Sequence, residues 1–327
     1  MLDTIKKKAN IISILKGIAG KQEMGIIIPT VLLIIIVQSV NSVFLSYQNI
    51  MNVLRSAGYM LITSLGMTLV LIAGGIDLSV GSILAFGGCI TGIALKAGLP
   101  ISISILLGLL AGALCGFVNG IIIVKFRIPP LMMTLGMYYM ARGLVYIITL
   151  GVPVFPLPPE FQRIEQQDIL GFPSIVVVAA VLSVIFYFIM NRTVFGRKAY
   201  AIGGNIETAR VSGINIGRNL VALYSILGML AGMTGIFMAA RLGSAQSSAG
   251  VGYELQVIAA VIIGGTSTYG GRGTLLGTVI GVIFMNILAS SMTILKISPY
   301  WQNFVIGAVL VIAVLVDQIR RNRMERG

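Results

Sequence analysis

The sequence predicts an all-α polytopic membrane protein with about ten transmembrane helices, 8 being the lower alternative. Of its 327 residues, 57% are apolar and only 10% are charged, and the apolar residues form long runs separated by short polar connections. Soluble domains are about 25% charged. The chain therefore lacks the hydrated surface that a soluble protein of this length needs, and its apolar content suffices for several helices.

Ten apolar runs bounded by charges, prolines or turn residues define the predicted helices. They lie at 24–43, 53–73, 80–96, 99–124, 129–149, 173–190, 219–240, 253–265, 273–294 and 301–317. Eight spans result if two short segments are re-entrant. The basic N-terminal stretch resembles a signal peptide, but its apolar run is long and lacks a clear cleavage site, so we interpret it as a retained helix. Residues 1–327 are thus predicted to form a single membrane domain.

The lysines and arginines predict how these helices are oriented. Seventeen of the 23 lie in the termini and alternate connections that ten helices would place on one side. Five lie on the other side, and Arg142 lies within the fifth helix. Positive charge accumulates in cytoplasmic loops, so both termini and the connection 191–218 are expected in the cytoplasm. The net charge of +13 then reflects contact with a membrane rather than with nucleic acid.

Several functions are excluded by residues that the sequence lacks. It contains no histidine, and its two cysteines, Cys89 and Cys115, both lie in apolar runs. These counts argue against a metal site of the usual kind and against a histidine base. No GxxxxGKS or GxxxxGKT string is present, so the chain has no P-loop for ATP. We expect no metal, no bound cofactor and no enzymatic activity in this chain.

Glycine-rich strings interrupt the predicted helices at two points. GGIDLSVGS at 74–82 places Asp77 between two apolar runs, where it is suited to cap the helix that resumes. A carboxylate deep in a membrane costs about 3 kcal/mol or more, so Asp77 is either a cap alone or a cap with a role in gating or transport. The second string, GGTSTYGGRG at 264–273, follows AVIIGG, which is similar to VLIAGG before Asp77 and hints at an internal duplication.

Glycines also recur every fourth residue within two predicted helices. Gly108, Gly112, Gly116 and Gly120 form one row, and Gly273, Gly277 and Gly281 form another. Such rows allow close approach of a neighbouring backbone. Tight static packing and a sliding surface for a moving bundle are both compatible with this pattern.

The connection 191–218 is the only sizeable inner segment, and it carries five basic residues against one acid, Glu207. Within it, ETARVSGI is expected to form a short helix capped by Asn205 and ending at Gly213. One interpretation is a solvated basic loop. Its glycines, aromatic residues and small side chains favour the other, a docking surface for a partner.

Here the sequence resembles a known family. FGRKAYAIGGNIETARVSGI at 195–214 is similar to the cytoplasmic coupling loop of bacterial ABC importer permeases of the simple-sugar type, the ribose, xylose, galactose and autoinducer-2 group. GGIDLSVGS, GFVNG, TLGMYYMARGL, YELQVIAAVIIGGTSTYGGRGTLLGT and SPYWQ resemble further family strings in the family's order, from about residue 45 to 317. The chain departs from the family at Gln256, at Ile287 after Asn286, and at Pro130, which leaves the exact sugar open.

The resemblance implies a permease subunit of the bacterial cytoplasmic membrane that passes a monosaccharide such as ribose, xylose or galactose inward by alternating access. It also implies three partners: a separate ATPase subunit that holds ATP and Mg²⁺, an extracytoplasmic binding protein, and a second permease that is identical or related. A permease for autoinducer-2, a polyol or a nucleoside is an alternative, as is an ion-coupled carrier of a small polar solute.

Two sets of residues are predicted to carry this function. Contact with the ATPase is expected, by resemblance, from Phe195, Gly196, Arg197, Ala201, Gly203, Gly204, Asn205, Ala209 and Gly213. Neutral sugars need hydrogen bonds and stacking, and the candidates near helix breaks are Asp77, Ser79, Asn119, Tyr138, Tyr253, Glu254, Asn286 and Trp301. Interfacial anchoring or bonding between helices is the alternative for each. Arg142 is expected either to reach an interface or to pair with an acid such as Glu254.

Overall fold

A computed structural model describes residues 24–325 of the chain. The lysines at positions 6–21 and Arg326, which contribute to the predicted charge asymmetry, lie outside the described residues. The described part contains thirteen α-helices, one short 3₁₀ helix and one pair of two-residue strands. This composition confirms the predicted all-α class.

The helices follow one another with short connections. They are α1 (Met24–Val40), α2 (Tyr47–Ile72), α3 (Val80–Lys96), α4 (Ile101–Phe126), α5 (Pro130–Thr149), α6 (Pro159–Gln166), α7 (Ser174–Arg192), α8 (Val194–Gly204), α9 (Ile206–Val211), α10 (Ile216–Leu242), α11 (Tyr253–Ile263), α12 (Leu275–Ile294) and α13 (Pro299–Glu325). The 3₁₀ helix Ser42–Leu45 precedes α2, and the antiparallel strands β1 (Asp168–Ile169) and β2 (Phe172–Pro173) precede α7.

All ten predicted helices are present, but they differ in length. Seven are long and apolar enough to cross a membrane: α2, α4, α5, α7, α10, α12 and the Pro299–Ile319 part of α13. The other three, α1, α3 and α11, are shorter apolar helices of 10 to 17 residues. The two short helices in the middle of the chain, α3 and α11, each follow a break in the helical structure. Broken helices are therefore part of the fold, as predicted.

Helix α10 lies at the centre and packs along α4, α3 and α2. The contact with α4 is backbone to backbone, since a Cβ placed on Gly116 would overlap the carbonyl oxygen of Tyr224, and one on Gly112 would overlap that of Gly228. In the second glycine row, Gly277 and Gly281 pack in the same way against α11. Both rows thus serve close helix packing.

The segments predicted to face the two sides gather at opposite ends of the bundle. At one end, the carbonyl oxygen of Ile72 accepts a hydrogen bond from the Gly271 amide (2.8 Å) and lies against Gly203. At the other end, Arg55 pairs with Glu165 of α6 (3.2 Å), and Val154 pairs with Ala245. Following the charge pattern, we call the first the inner end and the second the outer end.

Candidate functional site

The helix break at 73–79 begins with a tight C-terminal cap on α2. Gly74, at φ +82°, lets the amide of Gly75 return to the carbonyl of Val70. Helix α11 ends with the same hydrogen bonds around Gly265, at φ +92°, where the Thr266 amide returns to Val261. The two similar strings therefore end in the same type of cap. The glycine with positive φ is the first of the pair in VLIAGG, Gly74, and the second of the pair in AVIIGG, Gly265.

A buried polar cluster follows this cap. Asp77 is fully buried, and its Oδ1 accepts hydrogen bonds from the Ser79 amide (2.7 Å) and the Ser79 hydroxyl (2.5 Å). The amide of Asn119 in α4 donates to Asp77 Oδ2 (3.3 Å) and to Ser79 Oγ (3.0 Å). The N-cap of α3 is Ser79 rather than Asp77, so the predicted capping role of Asp77 is wrong. Its carboxylate instead ties the break to α4.

Thr134 of α5 holds the same break from the other side. Its hydroxyl accepts from the Leu78 amide (3.1 Å) and lies 3.3 Å from the Ile76 carbonyl, and the residue is fully buried. Sequence reasoning missed Thr134 because threonine is common inside membrane helices, where it bonds to its own helix. The contact depends on tertiary structure, which no local pattern records.

A third break, GSAQSSAGVG at 243–252, was not predicted as part of the site. It enters the bundle from the outer end and meets the start of α3, where Gly81 and Gly250 pack backbone to backbone. Gly243, Gly250 and Gly252 all have positive φ, a conformation that glycine adopts without steric cost. Three glycines in ten residues could have indicated a break in the helical structure, but the segment carries no charge and so resembles an ordinary loop.

Arg142 joins the two breaks. It is only 6% exposed, and its guanidinium donates to the carbonyls of Ser247 and Ala249 (2.8 Å each) and of Gly81 (3.2 Å). Arg142 lies about 10 Å from the outer end of α5, so it does not reach the interface. Among the described residues it forms no direct salt bridge, and Glu254 interacts with it only over a longer distance, so the expected direct pairing with Glu254 is wrong. Glu254 is 8% exposed and packs against Gly81.

The outer half of the bundle contains a cavity of about 300 Å³ between α2, α10, α11 and α12, lined by both apolar and polar side chains. We call it the outer cavity. Tyr253 and Asn286, both predicted pathway residues, line it, and the Tyr253 hydroxyl donates to the Tyr59 carbonyl (2.9 Å). Gln256, noted above as a departure from the family, also lines it, and the lining residues missed by sequence reasoning are Ser56, Tyr59, Met60, Met238, Arg241 and Leu242.

The predicted pathway residues therefore do not form one site. Asp77, Ser79 and Asn119 form the buried cluster, Glu254 lies beside Gly81, and Tyr253 and Asn286 line the outer cavity. Trp301 is 61% exposed and contacts Phe304, and Tyr138 stacks edge-on with Tyr139 of its own helix. The structure places neither aromatic residue in the cluster or the outer cavity.

The inner connection is helical rather than a loop. Asn205 caps α9 by accepting from the Thr208 amide (2.9 Å), and the chain leaves α9 at Gly213 with φ +77°. Both features of the predicted short helix are confirmed. Helix α8, which precedes it, was not predicted as a separate helix.

The predicted ATPase contacts differ in their exposure to solvent. Gly203 packs against the Ile72 carbonyl, Gly196 against the end of α7, and Ala209 is buried, so these residues attach the segment to its own chain. Phe195 and Ala201 are half-buried. The exposed members are Arg197, Gly204, Asn205 and Gly213. Ile206 (45% exposed) and Val211 (83%) lie beside them.

Helix α8 is also bonded to the loop before α12. The Tyr200 hydroxyl donates to the Gly273 carbonyl (2.8 Å), and burial raises the pKa of this phenol, so it stays protonated. Together with Gly203 against Ile72, this bond links α8 to the ends of α2 and α12. The α8–α9 segment thus presents one surface to solvent and attaches the other to the transmembrane core.

Comparison with known families gives one match over most of the chain. The model of the family described as "Branched-chain amino acid transport system / permease component" matches residues 49–314. The chain belongs to this family. The matched range contains the buried cluster, the outer cavity and the α8–α9 segment. No solved structure matches the chain.

Curated relatives of this permease cover nearly its whole length. The ribose import permease protein RbsC of Bacillus subtilis (strain 168) is 39% identical over 299 residues, 91% of this chain and 93% of that protein. RbsC of Escherichia coli (strain K12) is 36% identical over 308 residues, 91% and 94% respectively. The autoinducer 2 import system permease protein LsrC of Photorhabdus luminescens is 32% identical over 312 residues, 95% and 94%.

Membership confirms three expectations. The resemblance to ABC permeases of the ribose and autoinducer-2 group is confirmed by these relatives. The chain is a permease component and not an enzyme. With its apolar helices, it is a multi-pass protein of the bacterial cytoplasmic membrane.

Proposed function

We propose that this permease is the transmembrane subunit of an ATP-binding-cassette importer that passes a simple sugar from an extracytoplasmic binding protein into the cytoplasm. The names of the relatives support the substrate class, since three of those with the highest identity are ribose import permeases. The proposed set is ribose, xylose and galactose, with autoinducer-2 as the alternative that the LsrC relatives favour.

The observation that carries the proposal is the two-sided contact of α8 and α9. Their solvent side exposes Ile206, Val211 and Arg197, a mixture of apolar and basic groups suited to a protein surface. Their other side contacts Ile72 and Gly273 at the ends of two transmembrane helices. Movement of a partner bound to α8 and α9 would therefore move the helices that carry the breaks.

In this proposal the energy comes from other chains. A cytoplasmic ATPase subunit binds ATP and Mg²⁺, closes, and pushes on α8 and α9. Two permease copies, identical or related, form the conduit. The breaks around Gly81 and Gly250 then supply positions where the backbone can rearrange during alternating access, because discontinuous helices are where transporters place their binding sites and gates.

Reconstitution tests the proposal. A pull-down of the tagged permease from mild detergent identifies the ATPase and the binding protein, and the three components are then placed in proteoliposomes. We expect sugar uptake that needs ATP and all three components. Uptake by the permease alone, driven by a proton or sodium gradient, would show that it is an ion-coupled carrier.

The Gly204→Trp variant tests the docking surface. Gly204 is exposed and has no neighbouring atom within 4 Å of an added Cβ, so the variant is expected to insert and fold normally. We expect it to lose the ATPase in the pull-down and to lose transport. The matched control is Gly136→Trp on the exposed face of α5, another glycine with open space. Normal coupling in Gly204→Trp would mean that the ATPase binds elsewhere.

A further inference from the structure

The outer cavity contains hydrogen-bonding groups that the rest of the described chain leaves unused. The Tyr59 hydroxyl donates to Glu165 (2.6 Å), the Tyr253 hydroxyl donates to the Tyr59 carbonyl, and the Asn286 amide donates to the Val282 carbonyl (2.8 Å). These bonds hold the three side chains, and with them the wall of the cavity, in place. Three lining side chains, Ser56, Arg241 and Gln256, make no side-chain hydrogen bond with the described residues, and the two larger ones, Arg241 and Gln256, offer the most hydrogen-bonding groups.

The charge of the cavity restricts what it can bind. Arg241 is half-buried, and its guanidinium lies over the Tyr59 ring, 5.9 Å from the ring centre. None of the residues that line the outer cavity is acidic. The nearby carboxylate of Glu165 is paired with Arg55 (3.2 Å) and with Tyr59. The cavity therefore disfavours cations and offers its donors to oxygen atoms.

Arg241 and Gln256 complement each other in hydrogen-bonding capacity. A guanidinium offers up to five donors and no acceptor, and a primary amide offers two donors and an acceptor oxygen. Hydroxyl groups both donate and accept, so adjacent hydroxyls of a neutral polyol would satisfy both side chains. An anion would satisfy Arg241 but would leave the acceptor of Gln256 without a donor.

The size and position of the cavity agree with a small ligand in transit. Its volume of about 300 Å³ lies at the lower end of the range of about 300–1,000 Å³ for small-molecule sites. It lies beside the outer break, since Gln256 and Tyr253 belong to the first turn of α11, directly after the segment that contacts Gly81. A ligand there would contact the helix whose start is held by that break.

We propose that the outer cavity is a transit subsite for a neutral sugar, in which Arg241 and Gln256 bind its hydroxyl groups and so contribute to the selectivity of the permease. This inference rests on the proposed sugar-import function. Tyr59 supplies one wall and fixes the orientation of Arg241 through the ring contact. Gln256 is the residue that distinguishes a polyol from an anion.

The test compares sugars that differ by a single hydroxyl. Uptake of ribose, or of whichever monosaccharide the wild type transports, is measured with the complete complex in proteoliposomes beside its deoxy analogues. The variants are Gln256→Leu and Arg241→Met. Their matched controls are Gln48→Leu and Arg163→Met, which change exposed residues at the same outer end and outside the cavity.

A lost hydrogen bond to a neutral group typically reduces binding by about twofold to tenfold. We therefore expect Gln256→Leu and Arg241→Met each to reduce uptake of the full sugar at least about twofold, and to reduce uptake of one deoxy analogue much less. The variants are then expected to lose the wild-type preference for the full sugar over the analogue that lacks this one hydroxyl. A purely structural defect would lower uptake of every sugar by the same factor.

The outcomes separate the inference from the proposed function. If the wild-type complex shows no ATP-dependent uptake of any sugar, the proposed function fails. If the wild type transports but both variants keep its preference among all the analogues, the transit subsite is overturned. Should Gln256→Leu not fold, Gln256→Glu retains the size and the acceptors but not the donors, and it is expected to lose the same preference.

Discussion

Gly81, in the first turn of α3, and Gly250, in the break between α10 and α11, lie backbone against backbone. An added Cβ on either glycine would overlap the carbonyl oxygen or carbon of the other segment, and Gly250 also has φ +72°. We expect Gly81→Ala and Gly250→Ala each to destabilise the permease by about 1–3 kcal/mol, as overpacked cores do. Thermal unfolding in detergent measures the loss.

The control for this pair is Gly136→Ala. Gly136 lies on the exposed side of α5 with no atom within 4 Å of an added Cβ, so alanine should leave the unfolding temperature unchanged or raise it slightly. Equal stability of Gly250→Ala and Gly136→Ala would contradict the close contact between Gly81 and Gly250.

Asp77 provides a second prediction. Asp77→Ala would leave the Ser79 amide and the Ser79 hydroxyl without their acceptor in a fully buried place, and the Asn119 amide would keep only its bond to Ser79 Oγ. Unsatisfied groups of this kind cost about 1–3 kcal/mol each. Asp77→Asn keeps one acceptor oxygen for Ser79 and should cost less. The ratio of folded to aggregated protein after solubilisation measures the stability of each variant. If Asp77→Ala is as stable as Asp77→Asn, the hydrogen bonds of the buried cluster contribute little to the stability of the permease.

The transmembrane helices could be predicted from sequence because apolar length is a local property. The site could be predicted only in part. Asp77 and Asn119 carry polar side chains in apolar surroundings, and so they stand out. Gly250 does not, because its role arises when the segment between α10 and α11 folds back against α3. Gln256 differs from the family pattern, but its place in the cavity depends on how α11 packs against α2 and α10. The partners of Arg142 are backbone carbonyls, which leave no trace in the sequence.

Arg142 is expected to hold the outer break closed. Without its bonds to the Ser247 and Ala249 carbonyls, the break should open more often. Ser247→Cys provides a reporter, since Ser247 is 4% exposed and both native cysteines are buried. We expect maleimide to label this cysteine faster in an Arg142→Met background than in an Arg163→Met background. Identical labelling rates would mean that other contacts hold the break.

Gly203 is predicted to behave differently from its neighbour Gly204. A Cβ on Gly203 would overlap the Ile72 carbonyl oxygen, whereas one on Gly204 would meet nothing within 4 Å. Gly203→Ala should therefore lower the unfolding temperature and loosen α8 from the core, and Gly204→Ala should not. Limited proteolysis between α8 and α9 reports the loosening, and resistance equal to wild type in Gly203→Ala would contradict it.

The orientation of the whole bundle can be tested at two exposed acids at its opposite ends. Glu160 lies in α6 at the end that holds the Arg55–Glu165 pair, and Glu207 lies in α9 at the end that holds most of the described lysines and arginines. Because positive charge marks the cytoplasmic side, Glu160→Cys should react with a membrane-impermeant maleimide in intact spheroplasts. Glu207→Cys should react only after permeabilisation, and the wild-type chain, with buried cysteines, should react in neither case. The reverse labelling pattern would invert the bundle and would place α8 and α9 out of reach of a cytoplasmic ATPase.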